Sequence, residues 1–130
     1  MEPIKILTID DDPSILDMYD QGLTAKGFEV KCAEGPKHAL KVLDSFSPDI
    51  ILTDIMMPGQ DGISFMRDLK SHPKSSSAPI LAVSALSDAA TLNDALLFGA
   101  VDYLVKPFDI DTLVMRIKHA LEMAQKRSSK

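Results

Sequence analysis

Ile4-Lys5-Ile6-Leu7-Thr8-Ile9 running into Asp10-Asp11-Asp12-Pro13, and Asp49-Ile50-Ile51-Leu52-Thr53 running into Asp54, are the stretches that decide the fold. Each is a short apolar run that stops on an acid. Two later runs stop on other polar groups, one at Ser84 and one at Lys106-Pro107. Apolar runs alternate with amphipathic stretches along the whole chain, which is the pattern of a parallel sheet covered by helices on both faces. Strands are predicted near 4–9, 28–32, 49–53, 79–83 and 101–105. Such a sheet gathers the C-terminal ends of its strands on one edge, where the loops form a ligand-binding crevice. Asp10, Asp11, Asp54, Ser84 and Lys106 are therefore expected at one site.

Three acids brought together repel and raise one another's pKa unless a cation compensates them. A hard divalent ion suits that task, and Mg2+ takes one or two carboxylates together with phosphate oxygens and waters. The Ser84 hydroxyl and the Lys106 charge suit the oxygens of a transferring phosphoryl group. The chemistry implied is phosphoryl chemistry.

The helices are marked by spacing and caps. Asp12-Pro13 supplies an N-cap and a proline at the first helical position, so Asp12 has a structural task and ranks below Asp10 and Asp11 for the site. Ile15, Leu16, Tyr19 and Leu23 follow at helical spacing, with Gly27 as the C-cap. A second helix follows Gly35-Pro36, with Ala39, Leu40 and Leu43 inward. A third begins near Asp61 with Ile63, Met66 and Leu69. A fourth, capped by Ser87, has a thin stripe of Leu92, Ala95 and Leu96 and is expected to be loosely held. The last, capped by Asp109, carries a continuous stripe from Ile110 to Ala124.

The chain has 130 residues and a net charge of −5, which fits one domain and gives no electrostatic support for nucleic-acid binding. Residues 1–125 are assigned to the domain, and 126–130 to a polar tail that frays or begins a linker. No apolar stretch approaches the roughly 20 residues of a membrane span, and no secretory signal opens the chain, so a cytoplasmic location is expected. Cys32 reads as a packing residue rather than a redox group. His38, His72 and His119 lack partners at metal-ligand spacing. Asp102 and Arg116 are candidates either for an exposed ion pair or for a dimer face.

In Ile9-Asp10-Asp11-Asp12-Pro13, Thr53-Asp54-Ile55-Met56-Met57-Pro58-Gly59, Asp61-Gly62, Val83-Ser84-Ala85, Gly99-Ala100-Val101-Asp102-Tyr103 and Leu104-Val105-Lys106-Pro107-Phe108, the chain resembles the receiver domain of bacterial two-component response regulators, of the chemotaxis-regulator kind. The resemblance covers nearly the whole chain. It implies a flavodoxin-like fold with strand order 2-1-3-4-5 and five helices. It also implies a signalling domain that catalyses only its own phosphorylation and dephosphorylation. Asp54 matches the phosphoacceptor, which takes a phosphoryl group from a histidine kinase or a histidine phosphotransfer protein. Asp10, Asp11, Asp54 and the backbone carbonyl of Met56 match the Mg2+ ligands, with Asp11 direct and Asp10 often acting through water. Ser84 and Lys106 match the groups that engage the phosphoryl oxygens, Tyr103 the aromatic switch, and Lys106-Pro107 a cis peptide bond.

The implied output is a change in the surface of the fourth helix, fifth strand and fifth helix, with homodimerisation there as one expected form. Met56 and Leu86, which flank the phosphoryl group in this family, are both apolar and cannot orient an attacking water, so a long-lived phosphorylated form is expected. Two rivals stand beside this reading. An aspartyl-phosphate phosphatase wants a second acid two residues after its nucleophile, where this chain has Met56. A degenerate receiver serving as a constitutive binding module usually lacks an acid, the lysine or the acceptor, all of which are present here.

Overall fold

The computed structural model describes residues 3–55, 62–85, 89–97 and 99–128. The elements alternate as β1 (Lys5–Ile9), α1 (Pro13–Ala25), β2 (Glu29–Ala33), α2 (Pro36–Leu43), β3 (Ile50–Asp54), α3 (Gly62–Ser71), β4 (Ile80–Ala85), α4 (Ala89–Leu97), β5 (Asp102–Lys106) and α5 (Ile110–Ser128). The strands form one parallel sheet in the order β2-β1-β3-β4-β5. This is the expected doubly wound fold. Its order reverses at β1 and β3, which places the acid-bearing ends of those two strands side by side at the switch point.

Both faces of the sheet are buried, and alternate side chains along each strand go to opposite cores. Ile6, Ile50, Leu52, Leu81 and Val83 pack with Leu16, Tyr19 and Leu23 of α1 and with Leu113, Ile117 and Ala120 of α5. Leu7, Ile9, Ile51, Ile80 and Ala82 pack with Ala39 and Leu43 of α2, Phe65, Met66 and Leu69 of α3, and Ala95 of α4. Among the described side chains of α4, Ala95 alone is buried, and Leu97 is 79% exposed. Ile63, Ser87 and Leu92, expected to help hold α3 and α4, lie outside the described side chains.

Capping follows the sequence closely. The Asp12 carboxylate accepts from the Ser14 amide at 2.9 Å and from the Ser14 hydroxyl at 2.7 Å. These bonds hold its carboxyl below the usual range. Gly27, at φ 96°, closes α1 in the left-handed region where a Cβ would be strained. The Asp109 carboxylate accepts from the Thr112 amide at 2.7 Å at the start of α5. α5 continues to Ser128, through residues expected to fray or to begin a linker.

The connection from Ser71 to Pro79 is not a free loop. The Ser75 hydroxyl is buried and donates to the Leu69 carbonyl at 2.6 Å. The Lys74 ammonium donates to the Asp44 carbonyl across the α2 end.

Candidate phosphoryl site

Register brings the polar residues together. Asp54 pairs with Val83 across β3 and β4, Ser84 with Val105, and Ala85 with Lys106 across β4 and β5. Asp10 follows β1 directly, and its amide donates to the Ala33 carbonyl at 3.2 Å. All these residues stand at the C-terminal edge of the sheet. Asp10, Asp11 and Asp54 each present a carboxylate oxygen, and these oxygens lie within 4.8 Å of one another. That donor set is all oxygen and triply anionic, which fits a hard divalent cation.

The three acids differ in setting. Asp10 is 1% exposed, Asp54 is 7% exposed, and Asp11 faces solvent. One Asp10 oxygen accepts from the Asp12 amide at 2.9 Å, and the other accepts from the Lys106 ammonium at 2.8 Å. The same ammonium donates to Asp54 at 3.0 Å. Both Asp10 oxygens thus have partners within the protein, while Asp11 is exposed.

Burial pushes the Asp10 carboxyl above its ordinary range, against the opposing pull of Lys106 and the Asp12 amide. Burial acts to lower the Lys106 ammonium, but the hydrogen bonds and charges of Asp10 and Asp54 outweigh it and hold the ammonium above its usual value. Lys106 is therefore charged across the physiological range. Its peptide bond to Pro107 is cis, as the resemblance implied.

The Ser84 hydroxyl is fully buried, and among the described residues its oxygen has no hydrogen-bond partner. An orphaned buried hydroxyl costs about 1–3 kcal/mol, and such groups point to a ligand or a functional movement. Tyr103, on the neighbouring strand, is 37% exposed and so stands outward. The carbonyl of Tyr103 accepts from Arg116 at 3.2 Å, and Arg116 also pairs with Asp102 at 2.9 Å. Asp102 and Arg116 thus form an ion pair within the chain.

Other expectations fall away from the site. The Thr8 hydroxyl donates to the Cys32 sulfur at 3.2 Å, and burial pushes the thiol up, which suits packing and not redox chemistry. His38 and His119 are exposed, and the His72 ring accepts from the Lys74 amide at 3.1 Å. Met56, Pro58, Gly59 and Leu86 lie outside the described residues. Sequence periodicity marked Tyr19 as core and passed over Phe108, yet the two rings stack and line one cavity together with Lys106. No sequence signal pairs residues 19 and 108.

Residues 6–118 match the response regulator receiver domain family. The regulatory protein AtoC of Escherichia coli strain K12 is 34% identical over 119 residues, covering 92% of this chain and 25% of AtoC. Among solved structures, the chemotaxis response regulator CheY4 of Vibrio cholerae is similar with a TM-score of 0.82 and 28% identity, over 91% of this chain and 98% of that one. NtrX from Brucella abortus is similar with a TM-score of 0.90 and 26% identity, over 98% of this chain and 28% of NtrX. The chain spans from 25% to 52% of the length of the first two curated relatives it matches. Among the described residues no helix is long and apolar enough to cross a membrane.

Proposed function

The chain belongs to the response regulator receiver domain family of two-component systems, and from that premise we propose that it accepts a phosphoryl group on Asp54 and switches its α4-β5-α5 surface in response. The observation that carries this reading is the Lys106 ammonium at 2.8 Å from Asp10 and 3.0 Å from Asp54, beside a third carboxylate on Asp11. An acceptor carboxylate, a fixed cation and an acidic cluster meet at one strand edge.

An Asp54 oxygen attacks the phosphorus of the donor. The bond from phosphorus to the leaving group breaks, and the product is an acyl phosphate. From a phosphohistidine the leaving group is imidazole, which takes its proton from solvent. Asp10, Asp11, Asp54 and the Met56 carbonyl would hold Mg2+, which when bound neutralises charge on the phosphoryl oxygens. Lys106 contributes a fixed positive charge to the same oxygens.

Phosphorylation replaces one negative charge on Asp54 by about two. Ser84, with no hydrogen-bond partner among the described residues, gains an acceptor, and its movement inward gives Tyr103 room to leave the surface. The two states differ by contacts that only the phosphoryl group makes, so it biases their populations. Exposed Leu96, Leu97, Tyr103 and Met115 lie on α4, β5 and α5, the face that would meet a second copy or an output partner. A histidine kinase or phosphotransfer protein is the donor. Met56 and Leu86 leave hydrolysis without a side chain to orient water, so the acyl phosphate outlives the scale of seconds.

Intact mass after incubation with Mg2+ and acetyl phosphate tests the reading. A phosphate adduct is expected, decaying over minutes or longer after the donor is removed and missing in Asp54→Ala. No adduct, together with no saturable beryllofluoride complex, returns the chain to the constitutive binding module.

A further inference from the structure

Tyr19 sits midway along α1 and is 1% exposed. Its ring stacks on Phe108 with centroids 6.4 Å apart and an interplanar angle of 17°. Beside the stack is a cavity of about 110 Å3 lined by Ile15, Met18, Tyr19, Lys106, Pro107 and Phe108. The lysine that reaches both Asp10 and Asp54 therefore has empty space along part of its path and not close packing on every side. A side chain next to a void lacks partner atoms there and is held by the neighbours that remain. Tyr19 and Phe108 are the aromatic ones.

Resting on the phosphoacceptor reading above, we propose that Tyr19 is a positioning residue for phosphoryl transfer: its ring, seated on Phe108, fixes the Lys106–Phe108 segment and holds the Lys106 ammonium in reach of Asp54. α1 is capped by Asp12, whose amide donates to Asp10, so one helix orients both Asp10 and Lys106. The ring carries the effect, not the hydroxyl. Burial, and then the negative charges of Asp10 and Asp54, push the Tyr19 hydroxyl far above its ordinary value, so it stays protonated and offers no base or anion to the site.

Shortening the ring to Leu enlarges the cavity and frees the segment. A misplacement on the order of 1 Å weakens a positioned electrostatic contact by tenfold or more. The loss falls on the phosphoryl pocket and spares the metal ligands, because Lys106 competes with a cation for Asp10 and Asp54 and does not help to bind it.

The test compares wild type, Tyr19→Leu, Tyr19→Phe and Phe108→Leu by calorimetry, titrating Mg2+ alone and then beryllofluoride at saturating Mg2+, with urea unfolding run in parallel. Both leucine variants are expected to bind beryllofluoride about tenfold more weakly, with Mg2+ affinity unchanged or tighter. Tyr19→Phe is expected to match wild type. Beryllofluoride affinity in the leucine variants equal to wild type overturns the proposal, as does an equal loss in Tyr19→Phe or a parallel loss of Mg2+ affinity. If Tyr19→Leu fails to fold, Phe108→Leu, altered at a half-buried loop residue, decides by the same criteria. Failure of wild type itself to bind beryllofluoride is a different result, and it removes the phosphoacceptor reading on which this one stands.

Discussion

Replacing Lys106 by Met keeps an alkyl stem of similar shape and deletes the charge between Asp10 and Asp54. At 2.8 and 3.0 Å, with an effective dielectric of about 20, each contact has a gross attraction of about 5–6 kcal/mol before desolvation is subtracted. Deleting one partner of a fully buried pair costs about 3–5 kcal/mol, because the remaining charge is left uncompensated. The Lys106 side chain is 23% exposed and its two partners are 1% and 8% exposed, so the low end applies, at about 3 kcal/mol without metal. The assay is urea unfolding in a chelator and again in excess Mg2+. A ligand at about 100 times its Kd stabilises by about 2.7 kcal/mol, and the gain should be larger in Lys106→Met, where no ammonium competes for Asp10 and Asp54. Mg2+ is therefore expected to erase most of the difference between the two proteins.

Alkaline pH should erase that difference by another route. The folded-state value of Lys106 is raised, so its contribution is full below the ordinary 10.5 and is lost as pH rises through the folded value. A variant as stable as wild type in chelator, or equal Mg2+ increments in both proteins, would refute the reasoning.

Ser84→Ala removes a buried oxygen that has no partner among the described residues, so in urea it should leave stability unchanged or raise it by about 1 kcal/mol, while beryllofluoride affinity falls about tenfold with the loss of a charge-assisted bond. Asp10 is held above its ordinary 3.8 chiefly by burial, so its favourable contribution is full below that pH and is lost as pH rises through the folded value. Asp10→Asn should accordingly raise the urea midpoint at pH 7 without metal, with the gain fading toward pH 4, and should weaken Mg2+ binding; a lower midpoint at pH 7 contradicts this. A Cβ on Gly62 would lie 2.3 Å from the Ile55 carbonyl oxygen, which is backbone and cannot step aside. Gly62→Ala should cost about 1–3 kcal/mol and weaken beryllofluoride binding beside Asp54. Gly22→Ala, whose Cβ would meet the Ile110 side chain at 2.5 and 2.7 Å rather than backbone, should cost less.

The strands were legible because both faces of the sheet are buried, which makes Ile50-Ile51-Leu52 and Ile80-Leu81-Ala82-Val83 continuous apolar runs. Apart from the end of β1 at Ile9, their ends were displaced by a residue or two, and always in the same direction. Asp54, Ser84 and Lys106 end apolar runs by hydropathy, yet each still belongs to its strand's ladder. Hydropathy reports where side chains meet water, while the ladder is made by the backbone, and at this edge the two part company. Asp54, Ser84 and Lys106 are strand residues, which holds their Cα positions more rigidly than loops would.

What the sequence could not carry is pairwise contact between segments with no shared period. Lys106 was legible as a cation for phosphoryl oxygens, but not as the group that joins Asp10 to Asp54 before any phosphoryl arrives. That arrangement gives the ammonium a ground-state partner which it must partly give up to engage a phosphorylated Asp54. Its net contribution to transfer is thus the difference between two sets of charge-assisted bonds, not the sum of one. The same reasoning explains why a neighbour such as Tyr19, which touches no phosphoryl oxygen, has leverage: when two states of one ammonium are close in energy, the packing of its stem decides between them.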